Sequence, residues 1–346
     1  MPYRWSHVDQ NLIDKKYNEL KDTKFPAPKY NKKAIQKDIL AFKKYSEKAS
    51  LSQGDIIKRS FYGSKIIHPF HPHRWKERTS EDISITEAWK DPYRMKRAIR
   101  LTIADGREPT NKNIASTYRQ YKLGRVPAIF FPAQSLEVIK QYSKEGDIVL
   151  DPFIGYGGSL PAAAVSKRKI IGIDISRKSI AGNKRLARDL VNTLKLDKSN
   201  IELIKEDSRK ALNKLAPNSI DLVYTSPPYY NRELYSGRNQ SHKLKSYEQW
   251  LKEFYIPSIK GISRAVKPNK YILINVAPVK ESGKLKYPLD IDTQRIATNS
   301  GLKYIGQKKL ALGLYRRGVK GKTALQQKYE PILVFKKKSI RKYNKT

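Results

Sequence analysis

Cysteine is absent from this chain of 346 residues. The absence excludes disulfide bonds, thiolate zinc sites and any reaction that needs a cysteine nucleophile. Long apolar runs are absent too, and no stretch reaches the roughly 20 apolar residues that a membrane-spanning helix requires. Residues 1–5 do not have the composition of a signal peptide. We therefore expect a cytoplasmic protein without a membrane segment.

Negative charge is scarce. Asp and Glu together number 32 against 71 Lys and Arg, which gives a formal net charge of +39. Such a surplus favours a polyanionic partner, because neutralising phosphates releases counterions and drives binding. The alternative is a lysine-rich chain whose basic residues are only solvated. We favour nucleic acid, and the basic run at residues 336–345 agrees with it.

The composition changes near residue 124. Residues 1–124 are rich in lysine and have few apolar runs, and their patterns predict helices at 33–48, 87–103 and 110–121. We interpret them as a basic, mostly helical region that helps to hold the nucleic acid or to read its sequence.

Residues 125–338 alternate between strand and helix patterns, and a basic tail follows at 339–346. Strands are predicted at 147–150, 169–173, 201–205, 220–224, 271–276, 304–312 and 331–336. Helices are predicted at 135–142, 160–166, 179–194, 208–215, 247–266 and 291–300. This alternation predicts an α/β domain with a doubly wound, mostly parallel seven-stranded sheet. The last two strands have no helix between them, so we expect an antiparallel C-terminal hairpin.

A glycine-rich segment follows the first of these strands. It reads Asp-Pro-Phe-Ile-Gly-Tyr-Gly-Gly-Ser over residues 151–159, here called the glycine turn. Its glycines let the backbone approach a ligand closely, and Ser159 is expected to cap the next helix. Asp174 and Asp207 end the second and third strands, where carboxylates can accept from a ribose and an adenine amine. A glycine turn alone would fit any nucleotide-binding α/β domain.

A second motif follows the fourth strand. Residues 225–230 read Thr-Ser-Pro-Pro-Tyr-Tyr and are here called the catalytic turn. Prolines fix φ, so the turn is a pre-formed cup of carbonyls beside an aromatic face. Such a cup suits chemistry on the exocyclic amine of a flipped base. The alternative is a Pro-Pro turn that only ends a strand.

Together the two motifs resemble the S-adenosylmethionine-dependent DNA amino-methyltransferases, which modify N4 of cytosine or N6 of adenine. The resemblance spans about residues 125–337 and implies the class I methyltransferase fold with S-adenosylmethionine as cofactor. It implies cofactor contacts from Phe131, Asp151, Phe153, Gly155, Gly157, Asp174, Asp207 and Thr225. It implies that the catalytic residues are Ser226, Pro227, Pro228 and Tyr229.

The reaction implied for the catalytic turn needs hydrogen-bond acceptors. The lone pair of an exocyclic amine is delocalised into the ring, and acceptors such as Ser226 Oγ and the Pro227 carbonyl free it for attack. Tyr229 is expected to stack on the base. In the family, Ser rather than Asp at this position goes mainly with N4 of cytosine, so we favour that product over N6-methyladenine. The absence of cysteine excludes the covalent route to cytosine C5.

Two other functions remain open at this point. One is an RNA methyltransferase acting on an exocyclic amine, and the other is a nucleic-acid-binding subunit that keeps the fold without activity. The intact glycine and catalytic turns argue against the second.

The segment that reads the nucleic-acid sequence is not obvious, since too few residues separate Asp207 from Thr225 for a recognition domain. Sequence reading is therefore expected from residues 1–124, from the loop 231–245 or from residues 313–328. The candidate nucleic-acid contacts are Arg232, Arg238, Lys243, Arg316, Arg317 and Lys320. Double-stranded DNA in the nucleoid is the expected partner, RNA is the alternative, and a restriction endonuclease is a candidate protein partner.

Three histidines lie close together at His68, His71 and His73. Such spacing can bind a metal ion. The intervening prolines and the lack of a nearby carboxylate favour a plain surface loop, so no metal site is predicted.

Overall fold

A computed structural model describes residues 8–23, 32–49, 51, 54–57, 92–120, 132–155, 157–230, 244, 246–281, 284–315 and 326–339. The helices of this part of the chain are α1 (Gln10–Leu20), α2 (Lys32–Lys48), α3 (Pro92–Ala104), α4 (Asn111–Gln120), α5 (Pro132–Tyr142), α6 (Ser159–Val165), α7 (Arg177–Leu194), α8 (Ser208–Lys214), α9 (Tyr247–Trp250), α10 (Ile256–Ala265) and α11 (Leu289–Asn299).

Its strands are β1 (Ile56–Ile57), β2 (Ile148–Asp151), β3 (Lys169–Asp174), β4 (Ile201–Lys205), β5 (Ile220–Thr225), β6 (Val266–Asn275), β7 (Val279–Glu281), β8 (Lys284–Tyr287), β9 (Leu302–Tyr315) and β10 (Gln326–Lys337).

The chain forms two compact units. The smaller unit contains α1, α3 and α4, whose apolar faces meet around fully buried side chains. These include Ile13, Met95, Ile99, Ile114 and Tyr118. Helix α1 was not predicted. It is short and rich in charged residues, and its apolar stripe is recognisable only with the two helices that cover it.

The larger unit is built on an eight-stranded sheet in the order β1-β9-β10-β6-β5-β2-β3-β4. Strands β2 to β6 pair in parallel, while β10 runs antiparallel to both β6 and β9. This arrangement confirms the predicted mostly parallel α/β sheet with an antiparallel C-terminal hairpin. The eighth strand, β1, is an unpredicted addition of 2 residues that pairs with β9 at one edge.

The direction of winding reverses between β2 and β5. From β2 the chain moves outward through β3 to β4, and then returns to β5 on the other side of β2. Ligands of open α/β sheets bind outside the carboxyl ends of the strands at such a reversal. The glycine turn follows β2 and the catalytic turn follows β5, so the fold brings both motifs to this point.

Helix α2 belongs to the larger unit from Ile35 onward. Its Ile39 and Phe42 are fully buried in the same core cluster as Leu136 of α5 and Leu160 of α6. This division differs from the one predicted near residue 124, which placed α2 in the N-terminal region. The composition change there marks where apolar runs become frequent, and it does not report which helices pack on the sheet.

Two further elements differ from the predictions. The helix expected at 247–266 is interrupted by a π-helical segment, Leu251–Tyr255, between α9 and α10. A small antiparallel hairpin, β7–β8, occupies part of the connection after β6, where no strand was predicted. Both elements contribute rings to the aromatic cluster described below.

Candidate active site

Asp151 joins the two turns. It ends β2 with 1% of its surface exposed, and its carboxylate accepts from Ser159 Oγ at 2.6 Å and from Thr225 Oγ1 at 2.7 Å. Burial raises the pKa of Asp151 to about 6, even though these hydroxyls favour its charged form. The Asp151 carboxylate therefore links the ends of β2 and β5. The proton of the Thr225 hydroxyl is used in the bond to Asp151.

Ser159 does not cap the helix that it begins, contrary to the expectation from its position. The N-cap residue of α6 is Gly158, which makes no side-chain capping bond. The Ser159 hydroxyl donates instead to Asp151. The expectation did not take account of Asp151, a buried carboxylate eight residues earlier that is a strong acceptor for the Ser159 hydroxyl.

The glycine turn adopts backbone conformations that favour glycine. The φ angles of Gly155 and Gly157 are +48° and +77°. The Gly155 amide donates to Asp174 Oδ2 at 2.9 Å, and Asp174 Oδ1 also accepts from the Ser176 amide at 2.7 Å. Burial raises the pKa of Asp174 to about 6, against the effect of these two amides. Asp174 thus holds the glycine turn in place while part of its side chain stays exposed.

Asn183 of α7 also holds the glycine turn, and the sequence analysis missed it. Its Nδ2 donates to the Gly155 carbonyl at 2.9 Å and to the Ser179 carbonyl at 3.0 Å. A Cβ on Gly157 would lie 1.8 Å from Asn183 Oδ1. That Oδ1 is buried and has no hydrogen-bond partner among the described residues. An asparagine in mid-helix has no local signal that would have identified this role.

Asp207 lies at the end of the next strand, as predicted. It caps α8 by accepting from the Arg209 amide at 3.0 Å, and it also accepts from Arg209 Nε at 2.9 Å. Burial acts to raise the pKa of Asp207, but the bonds from Arg209 outweigh it and the pKa lies below its usual range. The Arg209 guanidinium lies 5.8 Å from the ring centroid of Phe254, and the Phe153 ring lies 5.7 Å from the same ring. The Asp207 carboxylate therefore stays charged, and its partner Arg209 lies over the ring of Phe254.

Ser226, the second residue of the catalytic turn, uses its hydroxyl proton in a hydrogen bond within the protein. Its Oγ donates to the Asn275 carbonyl, the last residue of β6, at 3.0 Å. Pro227 is buried and Pro228 half-buried. Asn275, with 3% exposure, also donates from Nδ2 to the Pro331 carbonyl of β10 at 3.1 Å. The turn is thereby tied to two neighbouring strands, a link that its local sequence does not reveal.

The two tyrosines of the catalytic turn have different surroundings. Tyr229 is half-buried, and its hydroxyl accepts from the Ala277 amide at 2.7 Å and donates to Glu330 Oε1 at 3.1 Å. Tyr230 is buried and lies edge-on to Tyr287 of β8, with ring centroids 5.4 Å apart. Of these two tyrosines, Tyr229 is therefore the one that is partly exposed to solvent.

An aromatic cluster supports the catalytic turn behind Tyr230. Tyr247 stacks on Tyr287 with centroids 4.4 Å apart, and Trp250 stacks on Tyr255 at 4.9 Å. The Tyr247 hydroxyl is fixed by donation to Asp292 Oδ2 of α11 at 2.8 Å. These rings come from α9, the π-helical segment and the β7–β8 hairpin.

Comparison with known families identifies the family of this chain. The sequence model described as DNA methylase matches residues 8–185, slightly more than half of the chain. The chain belongs to the DNA methylase family. This confirms the resemblance drawn from the two turns, and it makes S-adenosylmethionine the cofactor. A second model, described as RNA cap guanine-N2 methyltransferase, matches residues 146–261 of this methylase.

Curated relatives match over short stretches. A tRNA (guanine(10)-N2)-dimethyltransferase of Methanocaldococcus jannaschii is 38% identical over 89 residues, which is 25% of this chain and 24% of that protein. The orphan methyltransferase M.BamHII of Bacillus amyloliquefaciens is 47% identical over 51 residues, 15% of this chain and 19% of that protein. The methylase thus spans about a quarter or less of the length of these relatives.

Among solved structures, a SAM-dependent methyltransferase from Aquifex aeolicus superposes with a TM-score of 0.37 and 20% identity. The superposition covers 58% of this chain and 88% of that structure.

The chemistry of the residues in the glycine turn and at the strand ends fits the cofactor. Gly157 has no side chain, and a Cβ there would collide with Asn183 Oδ1, which is buried and has no hydrogen-bond partner among the described residues. Asp174 and Asp207 place carboxylate acceptors at the ends of successive strands, where ribose hydroxyls and an adenine amine can donate. The glycine turn, Asp174 and Asp207 would hold the cofactor, which supplies an electrophilic methyl group when bound.

Several predicted site residues lie outside the described part of the chain, so their roles stay predictions. They are Phe131, Arg232, Arg238, Lys243, Arg316, Arg317 and Lys320. The histidine segment, predicted to be a plain surface loop at His68, His71 and His73, also lies outside the described residues. Within the described ranges, no group of three or more His, Cys, Asp and Glu side chains is placed to hold a metal ion. None of the described helices is long and apolar enough to cross a bilayer.

Proposed function

We propose that this chain transfers a methyl group to the exocyclic amine of a base flipped out of duplex DNA, with N4 of cytosine as the target. The observation that carries the proposal is the hydrogen bond from Ser226 Oγ to the Asn275 carbonyl. A hydroxyl has one proton and two lone pairs. Because the proton is committed to Asn275, the lone pairs of Ser226 remain as acceptors for an incoming amine.

An acceptor is what the reaction needs. The nitrogen lone pair of an aromatic amine is delocalised into the ring, and it becomes available when acceptors draw on the N–H bonds and favour a tetrahedral nitrogen. Ser226 Oγ and the Pro227 carbonyl serve this purpose in the proposal. The nitrogen would gain the methyl carbon as the bond from that carbon to the sulfonium sulfur breaks, which would leave S-adenosylhomocysteine, and the nitrogen would then release one proton to solvent. No general base with an unusual pKa is required.

Tyr229 supplies the stacking surface in this proposal. Its ring is half-buried, whereas that of Tyr230 is enclosed by the aromatic cluster. Stacking on an aromatic ring contributes about 1–3 kcal/mol per base and holds a flipped base against the acceptors. The net charge of +39 favours the polyanionic substrate. We also propose that sequence reading and further phosphate contacts come from residues 1–124, from 231–245 or from 313–328.

A second candidate is the N2 amine of guanine in RNA. The match to the RNA cap guanine-N2 methyltransferase model over residues 146–261 includes both the glycine turn and the catalytic turn. The relative from Methanocaldococcus jannaschii is named for N2 of a tRNA guanine. Because N2 of guanine is also an exocyclic amine, the same acceptors would serve. The DNA methylase match favours DNA, since it extends over residues 8–185.

Product analysis tests the proposal. The chain is incubated with radiolabelled S-adenosylmethionine and either unmethylated genomic duplex DNA or total RNA, and the product is digested to nucleosides for mass spectrometry. We expect N4-methylcytosine from DNA. N6-methyladenine as the sole product would overturn the assignment of the base. Label only in RNA, as N2-methylguanosine, would establish the second candidate instead.

A matched pair of serine variants tests the role of Ser226. Ser226→Ala should lower turnover by about 100-fold, since it removes an acceptor at the reacting nitrogen, while cofactor affinity stays unchanged. Ser219→Ala is the control, because Ser219 lies just before the opposite end of β5 and its hydroxyl donates locally, to the Ala216 carbonyl at 2.7 Å. Equal turnover of the two variants would contradict the acceptor role.

A further inference from the structure

The hydroxyl of Tyr229 is hydrogen-bonded to two residues that lie far from it in the sequence. The amide that donates to it belongs to Ala277, 48 residues later, just beyond β6. The carboxylate that accepts from it belongs to Glu330 of β10, 101 residues later. The two partners thus engage the hydroxyl as acceptor and as donor.

Glu330 is itself firmly placed. It pairs with Leu310 of β9 in the antiparallel hairpin, and two residues later Ile332 pairs with Asn275 at the end of β6. The Asn275 side chain adds a bond to the Pro331 carbonyl, the residue next to Glu330, at 3.1 Å. The backbone on both sides of Glu330 is therefore fixed to the strand that also holds Ser226.

The bond from the Tyr229 hydroxyl to Glu330 Oε1, at 3.1 Å, joins two side chains that are both partly removed from water. A tyrosine ring without such a bond moves about χ1 and χ2. A ring whose hydroxyl is held by an amide and a carboxylate keeps one position, as a rigid binding surface requires.

We propose that Glu330 is a positioning residue for methyl transfer, acting through Tyr229. It fixes the ring of Tyr229 at the place where that ring stacks on the target base, so the base lies against Ser226 Oγ and the Pro227 carbonyl. This inference rests on the proposed function, since it assigns Tyr229 to the base. It adds the C-terminal hairpin to the site, which neither turn motif includes.

Four variants test the inference with unmethylated duplex DNA and radiolabelled S-adenosylmethionine. Glu330→Ala should lower kcat by about tenfold, because it removes a hydrogen bond to the stacking residue. Glu330→Gln should retain most of the wild-type kcat, since its amide oxygen still accepts from the Tyr229 hydroxyl. Tyr229→Phe should be at least as slow as Glu330→Ala, because it also removes the bond from the Ala277 amide. The double variant Glu330→Ala/Tyr229→Phe should be no slower than Tyr229→Phe, because that substitution already removes the bond to Glu330.

The controls separate positioning from folding. The affinity for S-adenosylhomocysteine and the thermal midpoint of each variant are measured, and neither should change appreciably. Glu202→Ala, on an exposed residue of β4, is the matched loss of a glutamate and should keep the wild-type kcat. A Gln variant as slow as the Ala variant, or a double variant whose defect is the product of the two single defects, would overturn the inference.

Failure of the proposed function is recognised separately, from the wild-type product. If wild-type protein labels RNA and not DNA, the DNA proposal is wrong, and the same four variants are compared on RNA. The pattern among the variants then decides the role of Glu330 by itself.

Discussion

The two halves of the candidate site are held together in different ways. In the cofactor half, Asp174 and Asp207 accept from amides within the next two residues, and the glycine turn is closed by residues at most 28 positions away. In the catalytic half, Ser226 and Tyr229 are held by partners 48 to 101 residues away. The cofactor half is thus fixed locally, whereas the catalytic half depends on the assembled sheet.

Asp151 is the one described residue whose side chain bonds to both turns, so changing it tests whether the halves are independent. Asp151→Ala should give the largest effect, because it leaves the Ser159 and Thr225 hydroxyls buried without their acceptor, at about 1–3 kcal/mol each. We expect the free energy of unfolding to fall by several kcal/mol, with cofactor binding and methyl transfer lost together. Urea unfolding and calorimetry measure these quantities. Loss of only one activity would show that the halves are separable.

Asp151→Asn is the matched control, and it keeps one acceptor oxygen. Because the pKa of Asp151 in the folded protein is about 6, above its usual value, the folded state binds this proton more tightly. Wild-type stability should therefore fall as pH rises from about 4 through about 6, by up to about 3 kcal/mol from this group. Burial raises the pKa of Asp174 and of Asp189 to about 6 as well, so part of the slope remains in the variant. Unfolding at pH 5 and pH 7 gives the comparison.

A glycine substitution should affect the cofactor half first. Gly157→Ala places a Cβ 1.8 Å from Asn183 Oδ1 and strains a φ of +77°. We expect cofactor affinity to fall by about 10- to 100-fold, a cost of roughly 1–3 kcal/mol. Calorimetric titration with S-adenosylhomocysteine measures the loss.

Two further variants separate strain from collision. Gly146→Ala has a comparable φ of +83° but nothing within 4 Å of the new Cβ, so cofactor affinity should not change. Adding Asn183→Ala to Gly157→Ala removes the colliding oxygen and should recover part of the affinity. No recovery would mean that Asn183 does not limit the space at Gly157.

The pH dependence of cofactor binding sharpens the comparison further. Ribose hydroxyls donate best to a charged carboxylate, and the pKa of Asp174 in the free protein is about 6. Affinity for S-adenosylhomocysteine should be constant above pH 7 and fall by up to about tenfold per pH unit below pH 6. Asp174→Asn should bind weakly at every pH with a flatter profile. A wild-type profile without this decline would remove Asp174 from the cofactor site.

The smallest effect is expected at the amino ends of the strands, which lie opposite the candidate site. Lys267, near the amino end of β6, donates to both oxygens of Asp221 at 2.8 and 2.9 Å. Lys267→Ala should cost no more than about 1 kcal/mol, because Lys267 is itself substantially exposed and Lys270 also pairs with Asp221. Methyl transfer should stay at the wild-type rate. A marked loss of activity would contradict the placement of both halves at the carboxyl edge.

The same contrast explains what the sequence could predict. Short apolar runs with acidic or proline-rich ends identified β2 to β5, and the structure confirms the mostly parallel sheet that was predicted from them. The assignments of individual site residues stay predictions. Asn183, Asn275 and Glu330 were missed because a polar residue within a helix or strand has no local signature, and its role appears only when distant elements meet. Ser159 was misjudged for the same reason, since its acceptor became evident only from the folded turn.

The bond between Tyr229 and Glu330 also bears on the order of events during synthesis. A ribosome releases the chain from its N-terminal side, so β2, β3, β4 and the acidic ends that would grip the methyl donor emerge first. Another 101 residues are translated after Tyr229 before its carboxylate partner, Glu330, has been made. A nascent chain can thus complete its donor-binding half well before the catalytic turn is locked. The last strand of the described residues is thus the one that supplies the carboxylate partner of Tyr229.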